Sequence, residues 1–117
     1  MKKRPTAADL LFPQHMLELD LVLIKEVRVC EERKWRMDFA EKVTPIGRPR
    51  LAFEIEGMGP RSHGGIGRHQ SPKTFQDDIH KYAEAQIQGF CLFRFTTQDV
   101  LNGTAKEFIR RWLDKHQ

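Results

Sequence analysis

The sequence predicts an α/β domain whose elements follow the order α-β-β-β-α-β-α, with a mixed central sheet flanked by helices. Three segments in the first half alternate apolar and polar side chains, which is typical of half-buried strands. Two later segments repeat apolar residues at spacings of three and four, which indicates amphipathic helices on either side of a short apolar run. The length of 117 residues fits a single domain, residues 1–117.

The first predicted element lies in an N-terminal helical region, residues 1–25. Thr6 and Asp9 have the spacing of a helix N-cap pair. Pro13 is expected to bend or end this helix, because proline lacks the backbone N–H that a helix interior needs. The apolar positions assigned to the helix are Leu10, Leu11, Leu17 and Leu19.

A predicted β-hairpin and a third strand follow. Val27 and Val29 alternate with polar neighbours, residues 31–34 form a polar turn, and the alternation resumes from Trp35 to Phe39. A turn containing two prolines and a glycine comes next. The third strand directs one set of side chains to the core and a second set to its other face. The first set is Leu51, Phe53 and Ile55, and the second set is Ala52, Glu54 and Glu56.

Residues 57–73 stand out in composition, because they contain five of the eight glycines, three Lys or Arg residues, two histidines and no acid. We interpret this stretch as a surface loop, a setting in which binding and catalytic residues are often found. Directly after the acids of the third strand, such a loop is a candidate active-site loop rich in glycine, arginine and histidine.

The last three predicted elements are a helix, a strand and a helix. The first of these helices should end at Gly89. The run at 90–96 is almost wholly apolar, which favours a strand buried on both faces, and the helical crossover favours a parallel, right-handed placement. The apolar stripe of the first helix is Phe75, Ile79, Tyr82, Ala83 and Gln86, and that of the last helix is Ala105, Phe108, Ile109 and Trp112.

Composition sets limits on the function. Twenty Lys and Arg residues against 16 acids give a net charge of +4, which permits a nucleic-acid partner without requiring one. No apolar run has the ~18 residues that a membrane span needs, and no secretory signal is visible, so we expect a soluble, cytoplasmic protein with no membrane partner. Cys30 and Cys91 fit neither a disulfide framework nor a zinc site and are expected to be small core residues.

Three acids are expected on the same face of the sheet: Asp38 on the second strand, and Glu54 and Glu56 on the third. If the strands pair, these like charges converge, which is tolerable only when a cation neutralises them, a proton is shared or the side chains reach into water. Carboxylates are the ligands that Mg²⁺ and Mn²⁺ prefer. A solvated polar face is the other interpretation, and periodicity alone leaves both open.

The motifs together resemble those of small phage and prophage endonuclease-like proteins of the PD-(D/E)xK superfamily. These proteins are similar to very short patch repair endonucleases and have a restriction-endonuclease-like fold. The resemblance covers residues 26–113, about three quarters of the chain. It rests on EERKWRMDFA at 31–40, LAFEIEG at 51–57, GRH at 67–69, Asp78, Lys81-Tyr82, Ala85, Gly89 and FRFT at 93–96.

The resemblance implies that Asp38 and Glu54 are metal-binding acids, but the position of the motif's lysine holds Glu56. Glu56 is then either a third ligand or the sign of an impaired site. The resemblance makes Lys81 the candidate for a migrated lysine and His69 the candidate for a general base or leaving-group acid. Histidine suits proton transfer because its ordinary pKa of about 6.5 makes both protonation states accessible near neutrality.

The resulting hypothesis is a Mg²⁺- or Mn²⁺-dependent DNA endonuclease that makes structure-selective or weakly sequence-specific nicks in phage or prophage DNA repair, recombination or processing. Backbone phosphates would be held by Arg61, Arg68, Lys73, Arg48 and Arg50. Arg94 either pairs with a carboxylate or binds phosphate.

Three questions about this hypothesis stay open. The chain could be a catalytically impaired DNA-binding or accessory module of the same fold, because the motif's lysine is missing. It could instead be an RNA-cleaving nuclease. One chain supplies one active site, so cutting both strands would require either a homodimer or two successive visits.

Overall fold

The computed structural model describes residues 4–57 and 72–117. In these residues, helices of five to 16 residues pack against a four-stranded sheet. The helices are α1 (Ala7–Leu17), α2 (Pro72–Ile87), α3 (Thr97–Leu101) and α4 (Thr104–Lys115). The strands are β1 (Leu23–Arg28), β2 (Arg36–Glu41), β3 (Arg50–Glu56) and β4 (Phe90–Thr96). Within these described ranges, no helix has the length and apolar character needed to span a bilayer.

The sheet is mixed and open, with the order β1-β2-β3-β4. The pairs β1–β2 and β2–β3 are antiparallel, whereas β4 joins β3 in parallel after the helical crossover through α2. The predicted α/β class, the hairpin and the parallel fourth strand are therefore confirmed. The expectation that this strand is buried on both faces is wrong, because only Phe90 and Phe95 of β4 are buried and Arg94 is exposed. β4 is an edge strand, so its backbone pairs on one side only.

Helices cover both faces of the sheet. On one face α1, α3 and α4 pack on a phenyl-rich core in which Phe12 is fully buried, with its ring centroid 4.9 Å from that of Phe53. On the other face α2 contacts the sheet through small residues, because Ala85 packs in one cluster with Ala40 and Ala52 and all three are fully buried. Alanines at this contact allow close packing and bring the polar side chains of α2 over the sheet.

Two of the predicted helices differ from the structure. Thr6 and Asp9 do form a reciprocal N-cap, but α1 continues through Pro13 instead of ending there. On α2, the predicted core residues Phe75 and Ile79 are exposed, and Ala85 is the buried residue. The periodicity of α2 was therefore assigned to the wrong face, since its contact with the sheet uses small side chains that carry little hydrophobic signal.

The short helix α3 was not predicted. It begins directly after β4, where the Thr96 hydroxyl accepts a hydrogen bond from the Asp99 N–H at 3.0 Å and the Asp99 carboxylate accepts one from the Thr96 N–H at 3.1 Å. The T-x-x-D spacing of this capping box was a usable sequence signal. At the other end of β4, Gly89 adopts a left-handed φ of +94° just after α2, as expected for a glycine that ends a helix.

Candidate active site

The three predicted acids lie on the α2 face of the sheet. Phe39 pairs with Phe53 across β2 and β3, so Asp38 and Glu54 occupy the next opposed positions and point to the same side. Glu56 lies two residues further along β3 and shares this face. The Ile55 N–H donates a hydrogen bond to Asp38 Oδ2 at 2.8 Å. This bond to a backbone donor fixes the Asp38 carboxylate between the two strands.

Glu54 is buried, and α2 supplies both of its hydrogen-bonding partners. Lys81 Nζ donates to Glu54 Oε2 at 2.6 Å, and the Tyr82 hydroxyl donates to Oε1 at 3.2 Å. The ion pair is well shielded, with 14% of the Lys81 side chain and 11% of the Glu54 side chain exposed. Lys81 is therefore not a freely solvated side chain, and its ammonium group lies beside Glu54.

Glu56 has a different partner. Arg94 of β4 donates to Glu56 Oε2 through Nε at 3.0 Å and through Nη2 at 2.9 Å. The Arg94 guanidinium also stacks on Tyr82, with its carbon 4.6 Å from the ring centroid. Tyr82 thus connects two charge pairs, because its hydroxyl contacts Glu54 and its ring face supports Arg94.

The acids are electrostatically coupled. Burial raises the pKa of Glu54, and the negative charges of Asp38 and Glu56 raise it further, while the hydrogen bond and positive charge of Lys81 lower it. Burial also raises the pKa of Asp38, against the lowering effects of the Ile55 N–H and Lys81. The charged forms are disfavoured here, so additional positive charge would stabilise the ionised acids.

Three residues near the site were missed by the sequence analysis in this role. Asp9, which caps α1, also raises the pKa of Asp38 through its negative charge. Tyr82 was assigned to an apolar stripe. Glu26 falls between the pairs Lys25–Phe39 and Val27–Met37, opposite Asp38, and has a left-handed φ of +53°, which is uncommon for glutamate. No periodicity could have indicated these placements, which depend on tertiary contacts.

Arg48 and Arg50 lie apart from the acids and have internal partners. Arg48 binds the buried Glu41 through Nη1 at 2.7 Å and Nη2 at 2.9 Å. Arg50 donates to the Glu41 carbonyl at 2.8 Å and packs over the ring of Phe90 at 5.1 Å. Both side chains thus help to hold β2, β3 and β4 together. Their predicted role in phosphate binding stays a prediction.

The remaining predicted substrate contacts come from the loop. Arg61, Arg68 and His69 lie outside the described residues, so their predicted roles stay predictions. Lys73, at the start of α2, is exposed and pairs with Asp77 at 3.1 Å. An exposed pair of this kind opens readily in water, so Lys73 is accessible to a phosphate group.

In residues 4–57 and 72–117, no group of three or more His, Cys, Asp or Glu side chains has a metal-binding arrangement. Glu54 and Glu56 both engage cationic side chains, so a shared ion would have to replace some of these contacts.

Comparison of the chain with protein-family models, curated proteins and solved structures finds no match.

Proposed function

We propose that the protein is a metal-dependent DNA endonuclease with a restriction-endonuclease-like fold. The observation that carries the proposal is the contact of 2.6 Å between Lys81 Nζ and Glu54 Oε2. It provides the lysine that is absent at position 56, from the neighbouring helix instead of the same strand. The element order and the parallel pairing of β3 with β4 agree with this proposal.

Asp38 and Glu54 would hold Mg²⁺ or Mn²⁺, with Glu56 assisting directly or through water. The donor set is of the kind that these ions take, because carboxylate oxygens suit hard cations. Burial raises the pKa of both Asp38 and Glu54, so the positive charge of an ion would stabilise their ionised forms. When bound, the ion would supply charge stabilisation at the scissile phosphate and acidify a water molecule.

The chain's own groups would have distinct roles. The Ile55 N–H holds Asp38 in place, and the Tyr82 hydroxyl orients Glu54. Lys81 would stabilise the negative charge that develops on the phosphate during hydrolysis, since its ammonium group is fixed and largely shielded from water. In this proposal His69 transfers a proton, and Arg61, Arg68 and Lys73 hold backbone phosphates. The enzyme would act in the cytoplasm on phage or prophage DNA, by structure-selective or weakly sequence-specific nicking.

A cleavage assay with Mg²⁺ or Mn²⁺ tests the proposal on nicked, mismatched, branched and plain duplex DNA. Asp38→Asn keeps an oxygen for the Ile55 N–H but removes the charge, and should reduce the cleavage rate by at least about 100-fold. Asp20→Asn is the matched control, because Asp20 is exposed at φ +64°, a conformation that asparagine tolerates. The proposal fails if the parent cuts none of these substrates, or if Asp38→Asn cuts as fast as Asp20→Asn.

One observation favours a second candidate, a DNA-binding module that has lost catalysis. Both Glu54 oxygens and one Glu56 oxygen already have partners, as they would in a site stabilised without a metal. Calorimetric titration with Mn²⁺ separates the two. An active site should bind the ion and lose it in Glu54→Gln, whereas a relic binds none. Competition by single-stranded RNA in the cleavage assay would identify an RNA-cleaving nuclease.

A further inference from the structure

Arg94 projects from the edge strand β4 onto the face of the sheet that carries Asp38, Glu54 and Glu56, which we call the acidic face, and is more exposed than Lys81. Its Nε and Nη2 both donate to a single oxygen, Glu56 Oε2, and its guanidinium plane is supported by the ring of Tyr82. The Arg94 side chain is 49% exposed. The group is therefore pre-oriented by stacking while an incoming ligand can still reach it from solvent.

The chemistry of this arrangement suits a phosphate group. A guanidinium presents paired N–H donors that match the oxygens of carboxylates and phosphates alike, and stacking reduces the entropy lost when it binds. In the free protein the Glu56 carboxylate accepts the hydrogen bonds from the Arg94 guanidinium. The pair between Arg48 and Glu41 is much less accessible, because only 15% and 7% of the two side chains are exposed. Glu41 also accepts a hydrogen bond from the Leu51 N–H. A ligand therefore cannot readily reach the Arg48–Glu41 pair, whereas a phosphate from solvent can replace Glu56 as the partner of Arg94.

We infer that Arg94, stacked on Tyr82, binds a backbone phosphate of a DNA substrate, and that Glu56 is an internal ligand which this phosphate displaces. The inference rests on the proposed function for the identity of the ligand. It adds a phosphate position on β4 to the contacts proposed for Arg61, Arg68 and Lys73. Glu56 then has a role of its own, different from that of the absent lysine. Its carboxylate keeps the Arg94 side chain oriented until DNA binds.

The direct test is the equilibrium binding of a labelled, nicked DNA duplex in EDTA over a range of salt concentrations. Arg94→Gln should weaken binding by about tenfold at low salt and lower the slope of log affinity against log salt by about 0.9, the value of one phosphate contact. Arg110→Gln is the matched control, since the Arg110 side chain is also 49% exposed and also pairs with carboxylates, but on α4. It should change affinity by less than about twofold.

A double-mutant cycle tests the displacement of Glu56. Glu56→Gln should tighten DNA binding several-fold more than Glu107→Gln, which removes an equivalent surface charge from α4. In the Arg94→Gln background this excess should disappear, because there is no cation left to release. If Glu56→Gln gives the same gain with and without Arg94, simple charge repulsion explains it and the displacement is wrong.

One further variant and one control measurement complete the design. Arg94→Lys keeps the charge but loses the planar fork, and should recover only part of the affinity while keeping the salt slope of the parent. Thermal unfolding of each variant shows whether a loss of binding reflects a loss of folding. The inference is overturned if folded Arg94→Gln binds like Arg110→Gln, if the parent binds no DNA, or if Arg94 affects binding of single-stranded RNA alone.

These outcomes are separable from those of the proposed function, because the binding assay contains no divalent cation and needs no chemistry. A parent protein that binds DNA through Arg94 but never cuts with Mg²⁺ or Mn²⁺ would remove the endonuclease proposal and leave the phosphate position intact. If the parent cuts DNA and Arg94→Gln binds DNA as tightly as the parent, the phosphate position is wrong and the endonuclease proposal stands.

Discussion

Replacing Lys81 with methionine removes the ammonium group that faces Glu54 and preserves most of the apolar stem. Glu54 would then lose its closest hydrogen bond, at 2.6 Å, while it stays buried between strands and helix. The negative charges of Asp38 and Glu56 would remain beside it. We therefore expect Lys81→Met to be clearly destabilising.

The magnitude follows from the shielding of the pair. Removing one partner of a buried ion pair costs about 3 to 5 kcal/mol, and with 14% and 11% of the two side chains exposed we expect about 2 to 4 kcal/mol. The matched control is Lys73→Met on the same helix. The Lys73–Asp77 pair is 85% and 38% exposed, so its loss should cost no more than about 0.5 kcal/mol.

The effect should also depend on pH, with a defined sign. Lys81 lowers the pKa of Glu54, so the variant should have a Glu54 pKa raised further above its ordinary value. A carboxyl group with a raised folded pKa contributes stability at low pH that is lost as pH rises through the folded pKa. The destabilisation by Lys81→Met should therefore be larger at about pH 8 than at about pH 5.

Urea unfolding of the parent, Lys81→Met and Lys73→Met at both pH values measures these differences. Comparable dependence on urea concentration would show that the same surface is exposed on unfolding in each variant. The reasoning is refuted if Lys81→Met costs no more than Lys73→Met, or if its cost is the same at both pH values.

Three further predictions concern stability. Although residue Asp38 is exposed overall, the partial burial of its carboxylate beside the Ile55 N–H raises the pKa of Asp38, so ionised Asp38 disfavours the folded state above that pKa. Calorimetry should show a higher Tm for Asp38→Asn at about pH 7 and a smaller difference at about pH 4. Glu41→Gln weakens the bidentate pair with Arg48 and should lower the unfolding free energy in urea by about 2 to 4 kcal/mol, well beyond any effect of Glu107→Gln. Thr96→Ala removes the cap of α3 and should cost about 1 kcal/mol; no change in the urea midpoint would show that this cap is dispensable.

Much of the sheet was predictable because side-chain alternation identifies the two faces of a strand. That alternation placed Asp38, Glu54 and Glu56 together, and the pairing of the strands agrees. The helical crossover likewise indicated the parallel position of β4. These features depend on local geometry, which the sequence carries directly.

The partners of the charged residues were less predictable. Nothing local distinguishes Arg48, which binds the buried Glu41, from Arg94, which stays half exposed beside Glu56. The choice depends on which strands and helices approach each other in the fold. The same limit applies to α2, where the buried Ala85 marks the contact with the sheet more reliably than the exposed Ile79. Small residues at close contacts give weak periodic signals.

We propose above that Lys81, paired with Glu54, performs the task of the lysine that is absent at position 56 of a metal-dependent nuclease. The most direct measurement is the single-turnover cleavage rate of a nicked DNA duplex with Mn²⁺ for the parent, Lys81→Met and Lys25→Met, a control at an exposed position on β1. We predict cleavage by the parent and Lys25→Met, and a loss of at least about 100-fold in folded Lys81→Met with little change in DNA affinity. No cleavage by the parent, or equal cleavage by the two lysine variants, would contradict the claim.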